Sequence, residues 1–277
     1  MKITSRDNSL LRQARAARDG KVDELIYVEG LRLAVEALRS KLDIEAVIFS
    51  EQLASKEKAA AAIDELTNAS PRAAAVSEKL LESISYTKTP QGIVVLARRP
   101  ESSEQRLAAG LKTNPLLVVL HQINNPVNVG AILRTAEAAG ANGIITTSNT
   151  SDPFSPKSLR GAMGSAFRLP IWSEAPFEAA VEWCRARKIS LVGTDADASL
   201  KHTDWSWTDA TALVLGPEST GLSAEELQAT DQTVSIPMAG EVESLNVSVA
   251  AGILLYEAAR QRSMEMPRSR SSPSCKP

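Results

Sequence analysis

The 277-residue sequence is poor in the residues that build metal sites and disulfide frameworks. It contains two cysteines, Cys184 and Cys275, and two histidines, His121 and His202. A structural zinc site needs about four ligands, and a disulfide framework needs more cysteines than these, so we expect neither a metal nor a disulfide framework. Few cysteines are also typical of proteins from a reducing compartment.

Long hydrophobic runs and aromatic residues are scarce as well. No segment approaches the roughly 20 apolar residues of a membrane-spanning helix, and no apolar signal segment follows Met1. Aromatic residues make up 4% of the chain and hydrophobic residues 43%, so aliphatic side chains must fill the core. These features predict an ordinary globular protein of the cytoplasm with no membrane partner.

Charge is nearly balanced overall but unevenly distributed. The formal net charge of −2 argues against a protein that coats nucleic acid by bulk charge. Residues 1–20 nevertheless carry five basic and two acidic side chains, and residues 258–277 carry five basic and one acidic. Basic ends can neutralise phosphate groups, although terminal charge that only keeps the chain in solution explains them equally well.

Strand-like and helix-like patterns alternate in two parts of the chain. The first part has short strands with helices between them, the strands being predicted at 25–30, 45–50, 73–77 and 92–98. In the second part, the near-continuous apolar run at 115–123 is typical of a strand buried on both faces. The alternation after it predicts a mostly parallel sheet covered by helices.

Composition divides the chain into four regions. We predict an N-terminal α/β domain at 1–98 and a polar linker at 99–114, which lacks a strong apolar period. A larger α/β domain follows at 115–262. The Pro/Ser/Arg-rich segment 263–277 is predicted to be a disordered basic tail.

The first segment that carries chemistry is 124–140, directly after the buried strand. Asn128 is predicted to cap a helix that begins at Val129 and ends before Gly140. Arg134 follows within two helical turns. An amide, free helix-terminal N–H groups and a guanidinium thus lie near the carboxyl end of a strand, where open α/β sheets bind ligands. The alternative is an ordinary capped helix with a solvated arginine.

The second segment is 213–222, where an apolar strand ends in Gly216, Pro217 and Glu218. Gly216 leaves room for a planar group, so this turn is a candidate for holding an adenosine moiety. The alternative is a plain turn with Glu218 placed favourably near a helix start. A dinucleotide-binding fingerprint, G-x-G-x-x-G, is absent, which argues against a nucleotide-dependent oxidoreductase.

The third segment is 235–262, in which a short strand, a loop and a long helix follow one another. Ser244 and Asn246 stand at the start of the helix, and the small residues of 247–252 allow it to pack closely on a neighbour. The alternative is a well-packed terminal helix capped by Ser244.

The three segments together resemble the SpoU/TrmH family of RNA ribose methyltransferases, within the SPOUT superfamily. The shared patterns are N-x-x-N-x-G-x-x-x-R at 125–134, L-G-P-E-x-x-G-L at 215–222 and I-P-M-x-G-x-x-x-S-L-N-V at 236–247. Family likeness covers 115–262. More loosely, 22–97 resembles the RNA-binding domain that precedes the catalytic domain in many members.

This resemblance implies a SPOUT-type α/β fold with a trefoil knot, a smaller N-terminal α/β RNA-binding domain and a homodimer. It implies transfer of a methyl group from S-adenosylmethionine to a ribose 2′-hydroxyl of structured RNA, with rRNA favoured over tRNA. A tRNA ribose methyltransferase, a resistance-type methyltransferase and a catalytically silent RNA-binding protein on the same fold are the alternatives.

The resemblance also implies site residues. Those carried over as cofactor contacts are Thr194, Leu215, Gly216, Ile236 and Leu245. Those carried over as catalytic are Arg134, Asn128, Glu218, Ser244 and Asn246. A guanidinium holds its proton too firmly to be an easy base, so Arg134 is expected to bind the adjoining phosphate and the developing alkoxide. Asn128 is expected to orient Arg134 or the ribose, and Glu218 is an alternative proton acceptor or an anchor for Arg134.

Overall fold

The computed structural model describes residues 1–240, 242 and 244–265, and its strands form two sheets. The strands are β1 (Leu25–Glu29), β2 (Ile44–Ser50), β3 (Ala73–Val76), β4 (Ile93–Arg98), β5 (Leu116–Leu120), β6 (Gly143–Thr147), β7 (Ile171–Ala175), β8 (Ser190–Thr194), β9 (Leu200–Lys201), β10 (Thr211–Leu215) and β11 (Gln232–Ser235). The helices are α1 (Ser9–Arg18), α2 (Leu31–Arg39), α3 (Glu51–Ala54), α4 (Glu57–Asn68), α5 (Glu78–Glu82), α6 (Glu104–Ala109), α7 (Pro126–Ala138), α8 (Pro156–Ala162), α9 (Ser165–Arg168), α10 (Phe177–Ala186), α11 (Ala224–Gln228) and α12 (Val247–Glu265).

The N-terminal sheet has four strands in the order β1-β4-β2-β3. β4 is antiparallel to both β1 and β2, while β3 is parallel to β2. Alternate residues of β1 enter opposite cores: Tyr27 packs in the cluster that includes α1, and Ile26 and Val28 pack in the cluster that includes α2 and α4. Successive side chains of a strand point to opposite faces of the sheet, and here both faces are buried.

The larger sheet has seven strands, in the order β7-β6-β5-β10-β8-β11-β9, and every pairing is parallel. β5 and β10 lie side by side, and every residue of both is buried. Burial on both faces explains why these strands read as continuous apolar runs. The predicted α/β architecture, with a mainly parallel sheet, is confirmed.

The two sheets share one hydrophobic core, besides a cluster that belongs to each sheet alone. The hydrophobic cluster under α2 and α4 continues into the cluster formed by β5, α7 and α12. α8 of the larger unit also packs against β1 of the smaller one. The N-terminal unit is therefore joined to the larger unit by buried apolar contacts.

Two regions differ from the sequence-based predictions. The predicted linker contains α6, whose Leu107 is fully buried against the larger sheet. The tail predicted to be disordered from 263 is helical through 265 as the end of α12, and 266–277 lie outside the described residues. Both segments are polar on average, so a single buried side chain or the end of a long helix is not visible in their composition.

Glycines set the crossing of α7 and α8. A Cβ at Gly130 would lie 3.0 Å from the Gly161 Cα and 3.1 Å from the Ala162 nitrogen, and it would also meet the Ser158 carbonyl oxygen. The close approach that Gly130 permits is therefore that of another backbone. None of the described helices has the length and apolar content needed to cross a membrane.

We predict that Gly130→Ala destabilises the fold by about 1–3 kcal/mol, because the two helix backbones must separate to admit the methyl group. Urea unfolding followed by circular dichroism measures this. Gly252→Ala in α12 is the matched control, since among the described residues a Cβ there meets only a side-chain methyl at 3.9 Å. The control should be neutral or slightly stabilising. Equal stability of the Gly130→Ala protein and the wild type would contradict the tight crossing.

Candidate active site

The loops after four parallel strands meet at one edge of the larger sheet. β5, β10, β8 and β11 are neighbours and run in one direction, so their carboxyl ends share that edge. The three sequence segments begin at the ends of β5, β10 and β11. This is where open parallel sheets bind ligands.

A cavity of about 370 Å³ lies among these loops. All five residues predicted to contact the cofactor line it: Thr194, Leu215, Gly216, Ile236 and Leu245. Two of the predicted catalytic residues, Glu218 and Ser244, line it as well. Aliphatic side chains such as Val234 and Leu254 supply apolar wall. The cavity thus combines apolar surface with loop backbone and a carboxylate.

Gly216 lets the loop after β10 fold back on itself. A Cβ at this position would lie 2.7 Å from the Leu222 nitrogen and 2.8 Å from the Gly221 carbonyl carbon. Gly221 itself has a φ of +66°, a conformation that favours glycine. The loop that lines one side of the cavity therefore depends on these two glycines.

A chain of hydrogen bonds joins the three segments. The Asn128 amide nitrogen donates to Glu218 Oε1 at 2.7 Å, and the Asn246 amide nitrogen donates to Asn128 Oδ1 at 3.4 Å. Asn246 Oδ1 accepts in turn from the Ser248 backbone N–H at 2.9 Å and so caps α12. Both groups of the Asn128 amide are used, which fixes its orientation beside the carboxylate.

Asn128 holds this place because it is not the helix cap that the sequence suggested. Asn125 caps α7, its side chain accepting from the Val127 N–H at 3.0 Å, and Pro126 is the first helical residue. Proline is favoured at that position because its fixed φ suits the helix and its missing N–H costs nothing there. Asn128 therefore lies inside the first turn, is 7% exposed, and is available to Glu218 and Asn246.

Arg134 stands apart from this network. It lies on α7, is exposed, and forms no hydrogen bond or ion pair with any of the residues that the structure describes. It does not line the cavity of its own chain. The structure thus brings Asn128, Glu218 and Asn246 together, with Ser244 at the cavity, but leaves the arginine free for a group from outside the chain.

One buried polar group at this edge was not predicted. His121, which is 3% exposed, lies after β5, with its Nε2 2.8 Å from Glu226 Oε1 and its Nδ1 3.0 Å from the Thr147 hydroxyl. Burial raises the pKa of Glu226, but hydrogen bonds from Ser223 and His121 outweigh it and lower the pKa below its ordinary value. The network ties α11, and with it the end of the Gly216 loop, to β5 and β6.

Family models match both units of the chain. The model of the SpoU rRNA methylase family matches residues 115–256, and that of an MRM3-like substrate binding domain matches residues 10–95. Within the part of the chain that the structure describes, no three His, Cys, Asp or Glu side chains form a group that could hold a metal ion.

Proteins with similar sequences are also named as RNA methyltransferases. A 23S rRNA (uridine(2479)-2′-O)-methyltransferase of Streptomyces viridochromogenes is 37% identical over 66% of this chain and 65% of its own length. An uncharacterised tRNA/rRNA methyltransferase of Synechocystis is 33% identical over 94% of both chains.

Solved structures extend the likeness to the fold and the cofactor. The SpoU methyltransferase AviRb of Streptomyces viridochromogenes, in complex with S-adenosylmethionine, has a TM-score of 0.82 and 30% identity over 92% of this chain and 98% of that one. An rRNA methyltransferase of Sinorhizobium meliloti, also bound to S-adenosylmethionine, has a TM-score of 0.81 at 30% identity over 94% of this chain and 97% of that one.

Fold, cavity and these likenesses define a class: an α/β methyltransferase that uses S-adenosylmethionine. The cavity fits such a cofactor, because its apolar walls suit an adenine ring and the buried glycine at its edge brings loop backbone close. The chain belongs to the SpoU rRNA methylase family. The family, enzyme class and cofactor predicted from the sequence are confirmed.

Proposed function

We propose that this chain transfers the methyl group of S-adenosylmethionine to a ribose 2′-hydroxyl of ribosomal RNA. The observation that carries the proposal is the Glu218–Asn128–Asn246 hydrogen-bond chain, which joins all three family segments at the cavity. Relatives named as 23S rRNA 2′-O-methyltransferases support the choice of rRNA and of the 2′-oxygen.

The cofactor, when bound, supplies a methyl group on a positively charged sulfur. Thr194, Leu215, Gly216, Ile236 and Leu245 are proposed to hold it, since all of them line the cavity. Buried aliphatic side chains supply apolar wall for the cofactor, and the loop backbone offers polar groups for hydrogen bonding. These residues bind and orient; no step of the chemistry needs their side chains.

The polar network is proposed to position the attacking hydroxyl. As the 2′-oxygen forms its bond to the methyl carbon, the carbon–sulfur bond breaks and the hydroxyl proton must leave. Glu218 Oε1 is occupied by Asn128, whereas Oε2 makes no hydrogen bond to any described residue. We assign Oε2 as the acceptor of the hydroxyl proton, with Asn128 fixing the carboxylate and Ser244 and Asn246 completing the polar side of the site.

Arg134 is proposed to bind the phosphate next to the target ribose and to stabilise the negative charge that develops on the 2′-oxygen. Because it does not line the cavity of its own chain, we propose that Arg134 of one protomer completes the cavity of its partner. This assignment requires the predicted homodimer.

A strip of exposed apolar residues supports a homodimer. Leu245, two residues before α12, is 37% exposed. Val249, Ile253 and Tyr256 follow one another at spacings of four and three residues along the first half of α12, and each is at least 36% exposed. That spacing places them on one side of the helix. Val127, at the start of α7, is 46% exposed. An apolar strip of this length is commonly covered by a partner, and a second copy of this chain offers the same strip.

We predict that Val249→Glu together with Tyr256→Glu converts the dimer to a monomer, since both charges enter the proposed interface. Light scattering coupled to size-exclusion chromatography measures the mass. Methyl transfer should fall at least tenfold, because the cavity loses the partner's arginine. Ala61→Glu, on an exposed face of α4, is the control and should remain dimeric and active. A fully active monomer would contradict the shared site.

The experiment that tests the function uses methyl-labelled S-adenosylmethionine and purified 23S rRNA, 16S rRNA and tRNA from a strain that lacks this gene. We expect label in 23S rRNA. Label in tRNA alone would show that the substrate is tRNA and not rRNA. Cofactor binding without transfer to any RNA would favour the catalytically silent alternative.

The remaining predictions belong to the same proposal. Residues 1–98 are proposed to select the RNA, residues 115–262 to carry out the transfer, and the cytoplasm to be the site of the reaction. The trefoil knot implied by the family resemblance also stays a prediction.

A further inference from the structure

A groove runs along the junction of the two units and shares no lining residue with the cofactor cavity. It consists of two cavities of about 220 Å³ and 330 Å³ that share Tyr86 and Pro156. The N-terminal unit forms one wall, and α8 with the residues before it forms much of the other. We call this the Tyr86 groove and define it by Arg32, Tyr86, Pro126, Pro156, Lys157 and Arg160.

The groove leads to the candidate active site. Its larger cavity reaches Pro126, the first residue of α7, two residues before Asn128. A chain molecule lying in the groove would therefore pass from the N-terminal unit to the helix that carries Asn128 and Arg134.

Tyr86 is held in the groove by a fixed turn. Glu29 Oε2 accepts from the backbone N–H groups of Tyr86 at 2.8 Å and Thr87 at 3.2 Å, and Glu29 Oε1 lies 2.7 Å from the Thr87 hydroxyl. Tyr86 as a whole residue is 45% exposed. These bonds join Glu29, the last residue of β1, to the turn that precedes β4. The result is an exposed aromatic side chain on a fixed backbone.

Most of the charged side chains in the groove that lack a partner among the described residues are positive. Arg32, Lys157 and Arg160 are exposed and form no ion pair or hydrogen bond with the described residues. Three nearby carboxylates are already engaged: Glu29 by the turn, Asp19 by Arg18 and Asp152 by Arg99. Asp23 is the acidic lining residue that has no such partner among the described residues. An excess of unpaired cations remains.

An exposed aromatic ring flanked by unpaired cations matches the chemistry of an unpaired nucleotide. Bases that are free of a duplex stack on aromatic rings, and the phosphates on either side bind arginine or lysine. Paired bases offer no face for stacking, so a duplex would use the cations alone. The exposed ring of Tyr86 can therefore stack only on a base of a single-stranded segment.

We propose that Tyr86 stacks on an unpaired base of the substrate RNA while Arg32, Lys157 and Arg160 bind the adjoining phosphates. The stacked nucleotide lies on the strand that continues to Pro126 and the methyl-acceptor site. Glu29 is a positioning residue that fixes the turn carrying Tyr86. This inference rests on the proposed function, because it assumes that the ligand of the groove is the RNA that is methylated.

The test compares Tyr86→Ala and Tyr86→Phe with the wild-type chain, using a fluorescent 12-nucleotide poly(U) RNA and a 12-base-pair RNA duplex as probes in fluorescence anisotropy. Tyr86→Ala should weaken binding of the single strand about 5- to 150-fold, as loss of one stacked base does. Tyr86→Phe keeps the ring and should bind like wild type. Duplex affinity should stay the same in all three proteins.

Salt dependence tests the cations. Arg32→Ala and Arg160→Ala should each lower the slope of log affinity against log salt by about 0.7 to 1, because each removes one phosphate contact. Lys58→Ala, an exposed and unpaired cation of α4 outside the groove, is the matched control and should leave the slope unchanged.

Methylation of 23S rRNA separates this inference from the proposed function. Tyr86→Ala should raise KM for RNA and keep kcat and cofactor affinity. An active wild type with an equally active Tyr86→Ala variant of unchanged single-strand affinity would overturn the groove and leave the function standing. If the wild type transfers no methyl group, the proposed function is wrong. The anisotropy measurement still shows whether Tyr86 binds single-stranded RNA. Equal loss of single-strand and duplex binding would contradict stacking.

Discussion

Arg134→Ala should lower the rate of methyl transfer by a factor of about 100 to 1000 while leaving S-adenosylmethionine affinity within about twofold. The rate falls because the 2′-oxygen loses a cation when its negative charge develops. The affinity stays because the residues proposed to hold the cofactor line the cavity and are unchanged, whereas Arg134 is proposed to contact the RNA phosphate and the 2′-oxygen. Single-turnover transfer and isothermal titration calorimetry measure the two effects separately. Arg134→Lys keeps the charge without the planar fork and should recover part of the rate.

The partner assignment of Arg134 can be tested by mixing two inactive chains. A dimer of one Arg134→Ala chain and one Gly216→Val chain holds one intact cavity, and the arginine beside that cavity comes from the other chain. When the two variants are co-expressed with different tags, half of the dimers should contain one chain of each variant. Each such dimer has one working site out of two, so the whole population should show about a quarter of wild-type activity. No recovery in purified mixed dimers would contradict a site shared between protomers.

Gly216→Val should weaken S-adenosylmethionine binding by about 100-fold or more. A Cβ alone would lie within 2.8 Å of two backbone atoms of Gly221 and Leu222, so the loop that lines the cavity must move, at a cost typical of severe overpacking. Calorimetric titration measures the affinity, and circular dichroism shows whether the chain is folded. Gly216→Ala serves as a smaller version of the same change.

Gly240→Ala is the control for Gly216→Val. It lies in the loop after β11, and a Cβ there meets no atom of the described residues within 4 Å. Its cofactor affinity should match that of the wild type. A folded Gly216→Val protein that binds the cofactor normally would show that the cavity is not the cofactor site.

The sequence predicted the larger sheet and the placement of its loops because these depend on local patterns. Apolar runs such as 115–123 mark strands buried on both faces, and parallel strands bring their following loops to one edge. That is why the predicted cofactor contacts, from Thr194 to Leu245, line a single cavity.

The sequence did not predict the contacts within the site because they join residues far apart in the chain. Asn128 and Glu218 are 90 residues apart, Asn128 and Asn246 are 118 apart, and His121 and Glu226 are 105 apart. No periodicity reports such pairs. The misplaced helix start shows a local ambiguity, since Asn125 and Asn128 are both good caps and only the proline at the first helical position distinguishes them.

Tyr86 illustrates the same difficulty in the N-terminal unit. Nothing in its neighbourhood marks the ring as exposed, and the carboxylate that fixes its turn is 57 residues away. α1 was also not predicted, although Leu10, Leu11, Ala14 and Ala17 form its buried face. Arg12, Arg15 and Arg18 are interspersed with these residues, so the composition of the segment indicates charge more strongly than an apolar helix face.

The most direct measurement locates the transferred methyl group on the RNA. A methyl group on the 2′-oxygen blocks alkaline cleavage of the neighbouring phosphodiester, because the attacking hydroxyl is gone. Labelled 23S rRNA should therefore yield its label in an alkali-stable dinucleotide, and at the same reaction time Arg134→Ala should yield about 100-fold less of that label or lower still. Label recovered in mononucleotides, as expected for a methylated base, would contradict the account.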